Sequence, residues 1–249
     1  MNLDAELYAL THRGNPGDVA FYRRVCRGAA SVLELGSGYG RLLCALARAK
    51  RQLIGLELST EFTRLARRNL RQLKSEQRAE VRLLQGDMRD FTLTAPVERV
   101  LLPYNALYCL LTKRDALACF RAARRALVAG GLLALDVWNA GPFQRSLPAR
   151  SSNDDPEPIL TLRHAGRSWD VFERTRVRPA QRLDVSYYYL PQNGAVAREI
   201  PIAQRYYLVE EIQALLERAG FELTSRYGDF SGGRFTKSSA QLVVLARAT

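Results

Sequence analysis

The sequence predicts an α/β fold: a mostly parallel sheet with an antiparallel β insertion. Three observations carry that prediction. From residue 31 to about 140, short apolar runs alternate with helix-period segments, the order that builds a parallel sheet. The first run, Val32-Leu33-Glu34-Leu35, ends abruptly in glycines at positions 36, 38 and 40, and a helical pattern follows (Leu42, Leu43, Leu46, Ala47). From roughly 142 to 207 the alternation stops, and four β-like runs succeed one another with turn residues between them.

Taken in order, residues 1–30 read as an N-terminal lid segment. Asn15-Pro16-Gly17-Asp18 forms a turn with Asp18 as N-cap, and a helix carrying Phe21, Tyr22, Val25 and Cys26 ends near Gly28. The second strand, Leu53-Ile54-Gly55-Leu56, ends in Glu57. The third, Val81 to Gly86, ends in Asp87-Met88, and the fourth, from Val100, ends in Pro103-Tyr104-Asn105. Thr112-Lys113-Arg114-Asp115 resembles a capping box that opens the next helix. Ala129-Gly130-Gly131 closes that helix, and Gly131–Val137 is the fifth strand. Near the end, a helix carrying Val209, Ile212, Leu215, Leu216 and Ala219 stops at Gly220. Phe221-Glu222-Leu223 and Gln241–Ala246 then complete the sheet, so that 31–141 and 208–249 make up the core.

Within 142–207, Pro142, Pro148, Pro156 and Pro158 with Ser151–Asp155 mark an irregular linker. The runs Ile159–His164, Trp169–Arg178, Leu183–Leu190 and Ala197–Tyr206 are separated by Ala165-Gly166, Pro179-Ala180-Gln181 and Gln192-Asn193-Gly194. They read as a meander of hairpins, an antiparallel flap outside the parallel sheet. Its aromatic residues (Trp169, Phe172, Tyr187, Tyr188, Tyr189) favour a cover for a site or a homodimer interface over a decorative sheet.

A strand, a glycine loop and a helix in that order make a cradle, because glycine permits φ > 0 and lets a ligand reach bare backbone. Spacing narrows the ligand. A dinucleotide fingerprint places its third glycine five residues after the first, where this chain has Arg41. No Gly-Lys-Ser/Thr follows, so a P-loop is excluded as well.

The pattern Glu34-x-Gly36-x-Gly38-x-Gly40 resembles the first motif of class I S-adenosylmethionine-dependent methyltransferases, of the bacterial small-molecule type. Glu57, the Gly86-Asp87-Met88 turn and Pro103-Tyr104-Asn105 follow in the order of that family's later motifs. The resemblance implies a doubly wound, seven-stranded, mostly parallel sheet whose sixth and seventh strands are antiparallel. It implies S-adenosylmethionine as cofactor and S-adenosylhomocysteine as product. Gly36, Ser37, Gly38 and Arg41 then surround the methionine moiety, and Glu57 the ribose. Leu58 covers one adenine face, Asp87 and Met88 meet its edge, and Tyr104 and Asn105 lie beside the methionine amine and sulfonium. Tyr8 and Tyr22 either close over the cofactor from the lid or pack on the sheet.

The expected reaction moves a methyl group to an N or O atom of a small-molecule acceptor by in-line displacement. His12, just before the lid helix, is the candidate general base, because histidine titrates near neutrality; the bland alternative is a surface-loop residue. Tyr108 is the second catalytic candidate, on the substrate side with Trp138 and Asn139. His164, before a hairpin turn, is expected to be exposed. No H-E-x-x-H, C-x-x-C or clustered carboxylate suggests a metal.

Composition bounds the rest. In 249 residues, 47% are hydrophobic and 25% charged, as in a globular protein with one α/β core and an insertion. No apolar run approaches the ~20 residues that span a bilayer, and no signal peptide is visible. Cys26, Cys44, Cys109 and Cys119 are scattered, which suits reduced thiols in a cytoplasm. The net charge of +12 raises the alternative of an RNA or tRNA methyltransferase. Its distribution argues against a nucleic-acid track: Arg64, Arg67, Arg68, Arg71 and Lys74 lie opposite the apolar stripe of one helix, as a solvated face does. Leu102-Pro103-Tyr104-Asn105 also lacks the Asn/Asp-Pro-Pro-Tyr order of base-methylating enzymes. A protein that binds the cofactor without transferring methyl groups is the remaining alternative.

Overall fold

In the computed structural model, residues 3–48, 50–75, 81–147, 155–192 and 196–249 are described. Two helices, α1 (Leu3–Thr11) and α2 (Asp18–Val25), precede the sheet. The core then runs β1 (Ser31–Leu35), α3 (Arg41–Leu46), β2 (Gln52–Glu57), α4 (Thr60–Arg71), β3 (Val81–Gln85) and β4 (Val97–Leu102). A 3-10 turn (Ala106–Cys109), α5 (Lys113–Ala126), β5 (Leu127–Trp138) and α6 (Ala140–Ser146) follow. The insertion supplies β6 (Glu157–His164), β7 (Arg167–Arg178), β8 (Arg182–Pro191) and β9 (Arg198–Arg205). The chain finishes with α7 (Val209–Arg218), β10 (Phe221–Tyr227) and β11 (Gln241–Ala248). Pro148, Ser151–Asp154 of the expected linker, and the Asn193-Gly194 turn, lie outside the described residues.

The main sheet has seven strands in the order β10-β11-β5-β4-β1-β2-β3. Strands β1 to β5 pair in parallel, while β11 is antiparallel to both β5 and β10. Only β11 therefore runs against the rest, and with β10 it forms the antiparallel closing pair the sequence predicts. The chain order reverses between β1 and β4, and at such a switch point the strand ends open a crevice.

Period-2 alternation sorts the core into two faces. Val32, Leu53, Leu101, Ala134 and Val243 pack with Phe21 and Tyr22 of α2 and with Leu42, Leu43 and Leu46 of α3. Leu33, Leu35, Val100, Leu102, Leu133 and Leu135 pack on the other side with Ala116, Phe120 and Ala123 of α5. Thr112 caps α5 as its sequence suggests, its Oγ1 accepting from the Asp115 N–H at 3.0 Å. The helix stops at Ala126, before the glycines expected to close it. Those glycines lie in β5 instead, where the pairing with β4 shifts from Val97–Leu127 to Arg99–Leu132, and Gly130 takes φ +69° to absorb the irregularity. Asp18 is not the N-cap of α2. Gly17 is, because both Asp18 oxygens bond the Arg41 guanidinium.

The insertion forms a four-stranded antiparallel sheet, β6-β7-β8-β9. Its inner face, with Trp169, Val171, Leu183, Val185 and Tyr189, joins the hydrophobic core of the main domain. Helix α1 is clasped between this flap and α4. Thr11 Oγ1 and Tyr189 Oη lie 3.0 Å apart, and Glu6 bonds His164 Nε2 at 2.8 Å while pairing with Arg68 of α4. His164 is thus partnered and only 23% exposed at its side chain, not the free surface group expected.

Gly55, on β2 directly beneath the turn that follows β1, shows how tightly this edge is packed. A β-carbon there meets Leu43 Cδ1 at 2.5 Å and Ser37 Oγ at 2.8 Å. Overpacking of that kind costs roughly 1–3 kcal/mol, so Gly55→Val should lower the urea unfolding free energy by about that amount.

Candidate active site at the carboxyl edge of the sheet

The turn after β1 is held by the ends of β2. Gly36 and Ser37 both donate their N–H groups to the Leu56 carbonyl, at 2.9 and 3.1 Å. Gly36, Gly38 and Gly40 all take positive φ, at 67°, 53° and 78°. Gly40 also lets α4 approach, since a β-carbon there comes within 3.1 Å of Ala66 Cβ. Gly38 is different: a β-carbon on it meets nothing within 4 Å, so bare main chain borders open space.

Glu57 is 9% exposed and spans this edge. Its Oε2 accepts from Gly38 N and its Oε1 from Ser59 N, both at 2.8 Å. A carboxylate has about four lone-pair sites, so two are left for hydroxyl donors of a ligand. Beside it, Leu58 is 66% exposed, an apolar side chain with nothing yet covering it. Asp87 stands at the next strand end, where Arg89 bonds its carboxyl and holds it below the usual carboxylate range. Met88 is partly buried against the core.

Beyond the glycines, the segment after β4 carries two consecutive non-glycine residues in the left-handed region, Tyr104 (φ 52°) and Asn105 (φ 62°). Each costs about 1–2 kcal/mol, so the surrounding structure must impose them. Asp136 at the end of β5 does so: its Oδ1 accepts from Tyr104 N at 3.0 Å and its carbonyl from Asn105 N at 3.1 Å. Asn105 Oδ1 in turn accepts from Trp138 N at 2.7 Å. Asp136 is 1% exposed, and burial pushes its carboxyl up to about 6. Glu34, at the base of the glycine turn, is raised to about 8, also by burial.

A cleft of ≈1250 Å³ opens between this edge and the flap. Tyr8, His12, Tyr104, Asn105 and Cys109 line one side; Glu173, Thr175, Val185 and Tyr187 line the other. Its lining includes Tyr104 and Asn105 but not Gly38 or Glu57. His12 is packed among aromatic rings, with centroid distances of 3.9 Å to Tyr8, 4.6 Å to Tyr187 and 6.2 Å to Tyr104. Its Nε2 is buried and finds no partner among the described residues, and desolvation lowers the imidazole to about 4. The carbonyl of His12 accepts from Tyr39 Oη at 2.9 Å, which ties this residue to the glycine turn.

Gly36, Ser37, Gly38, Glu57, Leu58, Asp87, Met88, Tyr104 and Asn105 thus lie along one edge, with Tyr8 and His12 over it. Three expectations need correction. Tyr108 is fully buried and donates its hydroxyl to the Trp138 carbonyl at 2.7 Å, so it is a core residue with no access to an acceptor. Tyr22 is also fully buried. Its hydroxyl donates to Asp136 Oδ1 at 2.5 Å, from beneath the edge and not over it. Arg41 is engaged by Asp18 at 2.6 Å, and its guanidinium carbon lies 5.8 Å from the Tyr104 ring centroid, so it buttresses the turn. Asp136 and Glu173 were missed as site residues. Glu173 had a signal: it continues the every-other-residue face of Trp169 and Val171, and a carboxylate at an inward position of a strand is out of place in a core.

Comparison with known proteins agrees with this geometry. Residues 32–131 match the family model described as "Methyltransferase domain". The chain resembles the CcbJ methyltransferase of Streptomyces caelestis at 25% identity and TM-score 0.79, over 95% of this chain and 97% of that one. It resembles SAM-bound CalS10 of Micromonospora echinaspora, an amino pentose methyltransferase, at 25% identity and TM-score 0.72, over 100% and 98%. Among curated proteins, the cypemycin N-terminal methyltransferase of a Streptomyces species is 25% identical, over 87% of this chain and 83% of that protein.

The His12 environment makes a pH prediction. Its folded value of about 4 lies below the unfolded 6.5, so its contribution to stability is complete above about pH 6.5 and is lost as pH falls towards 4. Nitrogen-15 NMR should accordingly show the His12 imidazole mostly neutral down to about pH 5, where a free histidine is already charged.

Proposed function

The chain is a class I S-adenosylmethionine-dependent methyltransferase, and on that premise we propose that it methylates an amine nitrogen of a small-molecule acceptor held beneath the flap. The observation that carries this reading is the cleft itself, which is lined by Tyr104 and Asn105 of the strand edge and by Glu173, the cross-strand partner of Tyr187. A carboxylate beside Tyr187 attracts a cationic amine, and aromatic faces favour the same charge. The amine acceptors in the names of CalS10 and the cypemycin enzyme support nitrogen over oxygen.

The residues of the edge fit the cofactor. Open space above Gly38, a buried Glu57 with free lone pairs and an uncovered Leu58 suit an amino acid tail, a ribose and an adenine face respectively. Asp87 and Met88 border the adenine end, and Tyr104 and Asn105 the reacting end. When bound, S-adenosylmethionine supplies an electrophilic methyl group and leaves as S-adenosylhomocysteine. The work of the chain is to exclude water and align the acceptor, and orientation of this kind is worth several kcal/mol. A cationic amine must first release a proton to solvent; His12 is neutral at physiological pH, so its unpartnered Nε2 can then accept a hydrogen bond from the neutral amine and orient the nitrogen lone pair toward the methyl group. Tyr8 closes the space from the lid side.

Among the described residues no three His, Cys, Asp or Glu side chains group as a metal site, and no helix is long and apolar enough to cross a membrane. This reading places the enzyme in the cytoplasm, supported by four unpaired cysteines. It also offers the flap as a homodimer surface, supported by the exposed Ile159, Leu160 and Val177.

Calorimetry with S-adenosylhomocysteine tests the cradle, since Gly38→Arg fills the open space. Affinity should fall at least about a hundredfold, equivalent to ~2.7 kcal/mol, with the circular dichroism unchanged. An amine and alcohol acceptor panel, read by mass spectrometry for added methyl groups, tests the acceptor; methylation of alcohols alone overturns the nitrogen assignment.

A further inference from the structure

We propose that Asp136 is the positioning residue of this site: it imposes the left-handed Tyr104–Asn105 turn between cofactor cradle and acceptor cleft, and so governs cofactor affinity. The inference rests on the cradle assigned above.

Three elements converge on Asp136. From the end of β4, Tyr104 donates its N–H to Oδ1, and Asn105 donates its N–H to the Asp136 carbonyl. From α2, Tyr22 donates its hydroxyl to the same Oδ1 at 2.5 Å. From the loop before α2, Asn15 reaches Oδ2 with its side-chain amide at 3.5 Å. The turn so fixed abuts the glycine loop directly, since a β-carbon on Gly36 comes within 3.3 Å of Ala106 Cβ. A shift of Tyr104–Ala106 therefore reaches the cradle without any intermediary.

The clamp depends on charge. Two donors on one carboxylate oxygen are charge-assisted bonds, roughly twice as strong as neutral ones. Around Asp136 the other charged or titratable groups are Tyr22 and Asp18 on α2, Tyr104 beside it and Arg41 on α3. Asp18 repels the anion and Arg41 attracts it, and they are paired to each other. On β11 the residue paired with Asp136 is the apolar Val243. Burial outweighs the donors and lifts the carboxyl to about 6. Below that pH the group is neutral, its hold on Tyr104 N–H weakens, and the strained turn relaxes. Nearby groups titrate outside this window, His12 at about 4 and Glu34 at about 8.

The test is calorimetry of S-adenosylhomocysteine on the full chain, between about pH 5 and 7.5. The wild-type dissociation constant should rise about tenfold as pH falls through about 6, the scale of one charge-assisted hydrogen bond. Asp136→Asn should bind about tenfold more weakly at the upper pH and show no dependence across the range. Tyr22→Phe removes a donor that favours the anion, so it should keep the dependence with its midpoint moved up. Wild-type affinity that is flat with pH overturns the proposal. So does an Asp136→Asn protein that melts lower but binds with unchanged affinity and profile. Should the wild type bind no S-adenosylhomocysteine at any pH, the cradle assignment itself falls.

Discussion

Everything at the working edge hangs from the last two residues of β2. The Leu56 carbonyl takes two N–H groups of the turn after β1, and the Glu57 carboxylate takes a third from Gly38. Backbone donors so engaged hold three consecutive alternate glycines at positive φ in one conformation, and the conformational cost of a glycine-rich loop is met within the scaffold before any ligand arrives. The same carboxylate also bonds Ser59 N ahead of α4, so the cradle, β2 and α4 form one unit.

Around that unit, lid and flap are secured by polar contacts that cross long stretches of sequence. Glu6 serves two partners, Arg68 on α4 and His164 on the flap, while Tyr39 of the glycine turn reaches the His12 carbonyl. Burial raises the cost of the Glu6 charge, yet its two partners prevail and hold the carboxyl below its usual range. His12 thereby acquires a fixed position in the cleft lining although it lies just past the end of α1. The flap side of the cleft is built the other way, with Leu183, Val185 and Tyr187 on strands that join the hydrophobic core, interspersed with charged residues such as Glu173 and Arg174.

Local patterning made much of this legible. The glycine spacing, the strand-end acids Glu57 and Asp87, and the hairpin turns of the insertion are short-range signals set by backbone sterics and period-2 burial. Tyr108 and Tyr22 went astray for one reason: strand-end and helix tyrosines look alike in sequence whether their hydroxyls meet a ligand or a buried acceptor. Trp138 O and Asp136 Oδ1, the acceptors that decide between the two, come from β5, about thirty residues from Tyr108 and over a hundred from Tyr22. Arg41 likewise reads as a ligand-binding cation until Asp18 is seen to occupy it.

By itself, then, the sequence determined the α/β class and the strand-end positions of Glu57 and Asp87, because each depends on contacts within a few residues, while the cofactor followed from the resemblance of the glycine motif to a known family. Tertiary structure alone decided which side chains are free to act. Asp136 became a clamp and His12 an unpartnered imidazole only when β4, β5, α1, α2 and the flap came together. Pairing and burial across such distances leave no periodic trace along the chain, since any one partner is satisfied by many sequences that bring a donor to the same place.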